Sequence, residues 1–163
     1  MHADVAGAHV LVIGAGAVAR AAALELALAG ASEVVVANRG EERGARLVAD
    51  IAGLGRATAA ALPWSPALPV PEQVRIVINA IPDPGSGRKG LDMRGLRGDL
   101  VVVDTAIAAT PSTIAQAAGR AGACLVDGLE VHCHRTAIDF QAWTGREADT
   151  DLLREALDEF LDA

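Results

Sequence analysis

The sequence predicts an α/β domain built on a doubly wound parallel sheet, and three observations carry that expectation. Apolar runs of strand length alternate with helical segments almost from end to end, an order that right-handed strand–helix–strand crossovers turn into a parallel sheet. The first run, His9-Val10-Leu11-Val12-Ile13, is apolar and β-branched, as a strand buried on both faces must be, and a glycine turn follows it at once. The composition is 52% hydrophobic, mostly Ala, Val and Leu, with 2% aromatics and no tyrosine. Side chains that small suit helices lying close on such a sheet.

In chain order, strands are expected near residues 9–13, 33–37, 56–61, 75–79, 100–104 and 123–126, with helices near 17–29, 41–53, 111–121, 129–143 and 150–161. The alanine-rich first helix contains Arg20 and Glu25, which suits a helix packed in protein and not a membrane span. The second strand, Val34-Val35-Val36-Ala37, repeats the pattern of the first. The third, Arg56-Ala57-Thr58-Ala59-Ala60-Ala61, lacks bulky residues, and its place rests on the alternation. Pro63, Pro66, Pro69 and Pro71 then stiffen a surface connection where a helix would be broken. Residues 82–98 form a second long loop, rich in Gly and Pro, with Arg88 and Lys89. It follows the carboxyl end of a strand, where open α/β sheets carry ligand loops. The last segment, Leu152 to Leu161, repeats apolar residues at helical spacing and reads as a packing face. No repeat or linker divides the 163 residues, so one domain is expected.

The net charge of −7 argues against a nucleic-acid surface and gives no reason to expect membrane binding. No basic segment followed by a long apolar run stands at the N-terminus, and Cys124 and Cys133 are too few for a disulfide framework. A reducing cytoplasm is the expected setting.

Gly14-Ala15-Gly16-Ala17-Val18-Ala19, between a strand and a helix, is the G-x-G-x-x-A form of the dinucleotide fingerprint in its proper setting. It makes the doubly wound sheet Rossmann-like. The glycines let backbone N–H groups approach a pyrophosphate at the positive end of the helix. The second strand ends in Asn38, with Arg39 next and Arg43 a helical turn later. A site for NAD would place a carboxylate there for the ribose hydroxyls, whereas Asn38, Arg39 and Arg43 suit the 2′-phosphate of NADP. The alternative is that both arginines are solvated and pair with Glu41 or Glu42; the missing carboxylate at residue 38 favours NADP.

His132-Cys133-His134 offers no metal site. On a helix the two histidines stand about 200° apart, and no cysteine cluster completes a ligand set. Asp104, at the end of an apolar strand, suits either a loop-start cap or a cleft residue.

Four segments in order resemble the C-terminal NADP-binding domain of the shikimate (quinate/shikimate) dehydrogenases. They are Gly14-Ala15-Gly16-Ala17-Val18-Ala19-Arg20; Asn38-Arg39 with Arg43; Ile78-Asn79-Ala80-Ile81-Pro82; and Asp127-Gly128-Leu129-Glu130 through Ala137-Ile138, Phe140 and Trp143-Thr144-Gly145. Glutamyl-tRNA reductases share the first two segments but not the closing block. The resemblance implies that Gly14, Ala15, Gly16, Ala17 and Val18 hold the pyrophosphate and that Asn38, Arg39 and Arg43 hold the 2′-phosphate. Asn79, Ala80 and Ile81 would line the ribose and nicotinamide side, with Thr105 and Gly128 at the nicotinamide end. In such enzymes a hydride passes between NADPH and the ring carbonyl of 3-dehydroshikimate, a step of aromatic amino acid biosynthesis.

The departures matter as much. The family's acid/base lysine and aspartate belong to an N-terminal substrate domain, none is expected before His9, and the chain's single lysine is Lys89. Ile107 stands where the family has a substrate-contacting tyrosine, and Arg135 where it has a glutamine. Arg135 suits either a carboxylate in the cleft or a solvated surface equally. The segment from Asp104 to Pro111 is about two residues short against the family pattern, and Gly40 replaces a threonine. Two functions from different classes follow. One is the NADP half of a shikimate-dehydrogenase-like oxidoreductase needing a separate substrate-domain protein; the other is a non-catalytic NADP(H)-binding sensor or regulatory module; the partners expected besides NADP(H) are a separate substrate-domain protein or a second copy of the chain. A third, a small stand-alone reductase, would use Asp104, His132 or His134 as its acid.

Overall fold

The computed structural model describes residues 4–81, 91–108 and 110–162. Its elements are β1 (His9–Ile13), α1 (Ala17–Leu28), β2 (Glu33–Ala37), α2 (Glu41–Gly53), β3 (Thr58–Leu62), β4 (Val74–Asn79), a 3-10 turn (Met93–Gly95), β5 (Val101–Asp104), α3 (Thr113–Ala121), β6 (Cys124–Val126), α4 (Gly128–Thr144) and α5 (Thr150–Asp162). The six strands form one parallel sheet in the order β3-β2-β1-β4-β5-β6. That is the expected α/β, Rossmann-like doubly wound sheet. β1, β2 and α2 have the expected bounds and the other elements differ by one or two residues; β3 lies at 58–62, because Thr58 is the first residue to pair with β2.

Side-chain alternation along the central strands builds two cores. Val10 and Val12 of β1, Val34 and Val36 of β2, and Ile76 and Ile78 of β4 face α1 and α2. On that side Ala19, Ala23 and Ala27 recur every fourth residue with no exposed surface, so α1 rests its backbone close on the sheet. Leu11, Ile13, Val35, Ala37 and Val77 face the other way, toward Ile114, Ala117 and Ala118 of α3.

No helix lies between β3 and β4, and Pro63, Pro66 and Pro69 are exposed, as expected of a surface connection, but one residue among them turns inward. Leu68 is fully buried, its carbonyl accepts from the Asp92 N–H at 2.7 Å, and it forms a single parallel bridge with Leu91. Leu68, Leu91, Leu96 and Leu100 thus cover the α3 side of the sheet where a crossover helix would lie. The prolines set extended backbone without removing the segment from the core. Of the expected ligand loop at 82–98, Pro82, Arg88 and Lys89 lie outside the described residues.

Candidate functional site

The carboxyl ends of β1, β2 and β4 meet at the glycine turn. The Gly14 N–H donates to the Ala37 carbonyl at 2.8 Å, and the Ala80 N–H donates to the Ile13 carbonyl at 2.9 Å. Gly14 has φ +116°, and a Cβ there would lie 3.0 Å from the Ala80 carbonyl oxygen and 3.2 Å from Ile81 Cγ2. Only glycine satisfies both conditions. Gly16 caps α1 without a side-chain hydrogen bond, and nothing lies within 4 Å of the place its Cβ would take. The first α1 hydrogen bond runs from the Arg20 N–H to the Gly16 carbonyl at 2.9 Å. The N–H groups of the first turn, Ala17 and Val18 among them, therefore have no acceptor within the helix and stand at its positive end. Gly16, Ala17 and Val18 are exposed, so the ground above the helix start is open.

A cavity of about 360 Å³ opens there, lined by Gly14, Ala15, Gly16, Asn38, Arg39, Gly40, Arg43, Trp64, Ala80 and Ile81. Asn38 Nδ2 donates to the Gly40 carbonyl at 2.8 Å, which folds the strand end into the start of α2. Arg43 returns over the same turn, with Nε 3.7 Å from the place a Gly40 Cβ would take. The pairing of Arg39 and Arg43 with Glu41 or Glu42 does not occur; Glu42 pairs with Arg46 instead. Among the described residues neither arginine makes a hydrogen bond or ion pair, and Arg39 lies over the Trp64 ring, 5.6 Å from its centre. Uncapped helix N–H groups and two arginines with uncommitted donors fit a dinucleotide bearing an extra phosphate.

The expected residues do not all converge on this cavity. Asn79 is turned away from it: its Nδ2 donates to Asp104 Oδ1 at 2.9 Å, and both residues are buried. Two parallel strands end in register here, so the pair locks β4 to β5. Ser112, the α3 cap, donates to the other Asp104 oxygen, and Thr105 donates to the Asn79 carbonyl through its N–H at 3.0 Å and its hydroxyl at 3.1 Å. Asp104 thus holds two strand ends and a helix start together. Gly128, the first residue of α4, packs against Thr105 and Ala106; a Cβ there would sit 2.0 Å from the Ala106 carbonyl oxygen. This group borders a second cavity of about 290 Å³, between Asp104, Ser112, Gly128 and Arg154.

Ile107 and Arg135 line neither cavity. Ile107 is half exposed, and Arg135 lies in solvent with Nε 3.7 Å from Asp139 Oδ2, one helical turn on. His132 is half-buried and His134 exposed, while Cys133 between them faces inward. Burial pushes the Cys133 thiol up. Among the described residues no three His, Cys, Asp or Glu side chains gather at one point. Trp64 is the cavity residue that the sequence reading passed over. Its signal was present: a tryptophan in a chain almost without aromatics, placed just past the carboxyl end of a strand.

α5 is fastened by charge, while Leu153, Leu157 and Leu161 on its apolar side are only half-buried. Asp127 caps α4, accepting from the Glu130 N–H at 2.8 Å, and receives both terminal nitrogens of Arg154 at 2.9 and 3.0 Å. Arg154 Nε reaches Asp158 at 3.1 Å. Burial alone would raise the Asp127 carboxyl; the hydrogen bonds from Arg154 and the Glu130 N–H outweigh it and hold the carboxyl below its ordinary value. The same contact with Asp127 raises Arg154 further. A carboxyl lowered on folding contributes stability above its unfolded value, about 3.9, and loses it as pH falls through the folded one. Amide exchange, corrected for intrinsic rates, is therefore expected to show α5 losing protection below about pH 4 before the sheet does. Equal protection of α5 at pH 7 and pH 3 would contradict this.

The family model for shikimate/quinate 5-dehydrogenase matches residues 1–83. The NADP(+) shikimate dehydrogenase of Archaeoglobus fulgidus is 32% identical over 164 residues, covering 94% of this chain and 57% of that protein. That of Methanothrix thermoacetophila is 34% identical over 161 residues, with 94% and 55% covered. Among solved structures, the ligand-free 5-ketofructose reductase of Gluconobacter sp. strain CHM43 superposes with a TM-score of 0.89 at 30% identity, over 97% of this chain and 58% of that one. A shikimate dehydrogenase in complex with NADP+ gives 0.81 at 25% identity, over 96% and 55%. The chain spans between 54% and 58% of the length of these curated relatives. The sheet order, the glycine turn with its arginine pair, and these matches agree: the chain belongs to the shikimate/quinate 5-dehydrogenase family.

Proposed function

We propose that the chain is the NADP(H)-binding half of a shikimate-dehydrogenase-like oxidoreductase, completed by a separate substrate domain. The cavity lined jointly by the Gly14–Gly16 turn, Asn38, Arg39, Arg43, Ala80 and Ile81 carries this reading. When bound there, NADPH supplies the hydride. The chain's own part is to hold the pyrophosphate on the α1 N–H groups and to meet the 2′-phosphate with Arg39 and Arg43. Gly128 and Thr105 then shape the nicotinamide end. The substrate is a ring ketone, 3-dehydroshikimate or a relative of it; a structural neighbour at 30% identity is itself named for reducing a ketone, 5-ketofructose. The setting is cytoplasmic.

The second reading, a non-catalytic NADP(H) sensor, draws on Ile107 and Arg135, which stand in solvent where the family has substrate contacts. Calorimetric titration with NADPH and NADH, followed by a dehydroshikimate reduction assay, tests both. The expected result is NADPH binding with negligible turnover by the chain alone, since an absent acid/base group typically costs about 10²–10⁴-fold. Turnover that appears on adding a substrate-domain protein selects the enzyme half, and its persistent absence selects the sensor. Failure to bind NADPH would overturn both.

A further inference from the structure

We propose that Trp64 is a positioning residue for phosphate discrimination, holding the Arg39 guanidinium in place for a 2′-phosphate; this rests on the NADP(H) reading above. The Arg39 guanidinium carbon lies 5.6 Å from the centre of the Trp64 ring, within the range of a cation–π contact. A guanidinium held over a ring face by this contact spends none of its N–H donors on a hydrogen bond and keeps them available to an anion. Those donors are uncommitted among the described residues.

The ring is itself fixed. Trp64 packs on the core that includes Leu68 and Leu100, is half-buried, and stands between Pro63 and Pro66 directly after β3. It lines the cavity shared with Gly14, Asn38 and Arg43, and also the outer groove shared with Arg39, Glu41 and Gly44. Trp64, Arg39 and Asn38 line both spaces, so the ring and the guanidinium face the same ground. Arginine is rich in rotamers, and a flat, anchored partner reduces the freedom it would lose on meeting a phosphate.

The consequence is selective. Trp64→Leu in the full chain is expected to weaken NADPH about three- to tenfold, the scale of one exposed cation–π contact with its ordering effect, while NADH changes less than twofold. Trp64→Phe, which keeps an aromatic face, is expected to recover most of the loss. In an Arg39→Ala background, Trp64→Leu should have no further effect on NADPH. Calorimetry with both cofactors, and circular dichroism on each variant, supply the readouts. An equal loss for NADPH and NADH would overturn the proposal by placing the ring against the part common to both. Unaltered NADPH affinity in Trp64→Leu, beside a wild type that binds, would overturn it alone. If Trp64→Leu does not fold, the Phe variant and the Arg39→Ala cycle run with Trp64→Phe decide: a Phe variant as weak as Arg39→Ala overturns the proposal. A wild type that binds neither cofactor would overturn the NADP(H) reading and, with it, the role of Trp64.

Discussion

Gly128→Ala is expected to destabilise the domain by about 3 kcal/mol and to lower its melting temperature by roughly 6–12 °C. The added Cβ would lie 2.0 Å from the Ala106 carbonyl oxygen, 2.5 Å from its carbon and 3.0 Å from the Thr105 carbon. Every one of these is a backbone atom, so no side chain can swing aside. Either α4 shifts at its start, loosening the Asp127 cap and with it the Arg154 contact, or the segment after β5 moves and strains the Thr105–Asn79 bonds. Both routes disturb the group at the expected nicotinamide end. Gly119→Ala is the control: it lies within α3, a Cβ there meets nothing within 4 Å, and its replacement is expected to be neutral or stabilising by up to about 1 kcal/mol. Differential scanning calorimetry of both variants separates a packing effect from a general intolerance of alanine. An unchanged melting temperature for Gly128→Ala would contradict the close approach.

Removing both arginines, Arg39→Ala with Arg43→Ala, is expected to reduce the preference for NADPH over NADH roughly a hundredfold while leaving the fold intact. A hydrogen bond to a charged group contributes about 1.5–3 kcal/mol, and two of them set against the solvent give a difference of that order. The fold should survive because both side chains are exposed and neither makes a hydrogen bond or ion pair with another described residue, Arg39 meeting only the Trp64 ring; surface changes of this kind usually stay within about 0.5 kcal/mol. The single variants should each lose part of the preference. The ratio of dissociation constants for the two cofactors is the measurement, and a ratio unchanged from wild type would remove the phosphate site from Arg39 and Arg43.

The glycine turn and the strands β1 and β2 were legible because their signals are local. An apolar run, a glycine with positive φ and a helix of alanines each impose their structure within a few residues. Asn38, Arg39 and Arg43 were legible for the same reason, since a strand end and one helical turn place them together. Leu68 was not, because its burial depends on Leu91 across an intervening segment, and prolines near it signal only the backbone angle. The side-chain partner of Asn79 was not legible either. Its place in the motif pointed to the cofactor, while its actual partner, Asp104, lies on the neighbouring strand. Trp64 was legible in composition and position yet acquires meaning only from Arg39, which arrives from another βα unit.

The seam at Gly14 bears on how the molecule assembles. Its glycine turn, α1 and β2 come from one contiguous stretch, but the opposing wall, Ala80 and Ile81, is delivered by β4 only after β3 and the long connection have been laid down. Pairing β1 with β4 closes a long loop and comes at a corresponding entropic cost, so the two walls are expected to meet late in folding. A dinucleotide lying across that seam would act as a clasp on the least local junction of the sheet. Its concentration in the cell would then set how firmly the two halves of the chain stay joined.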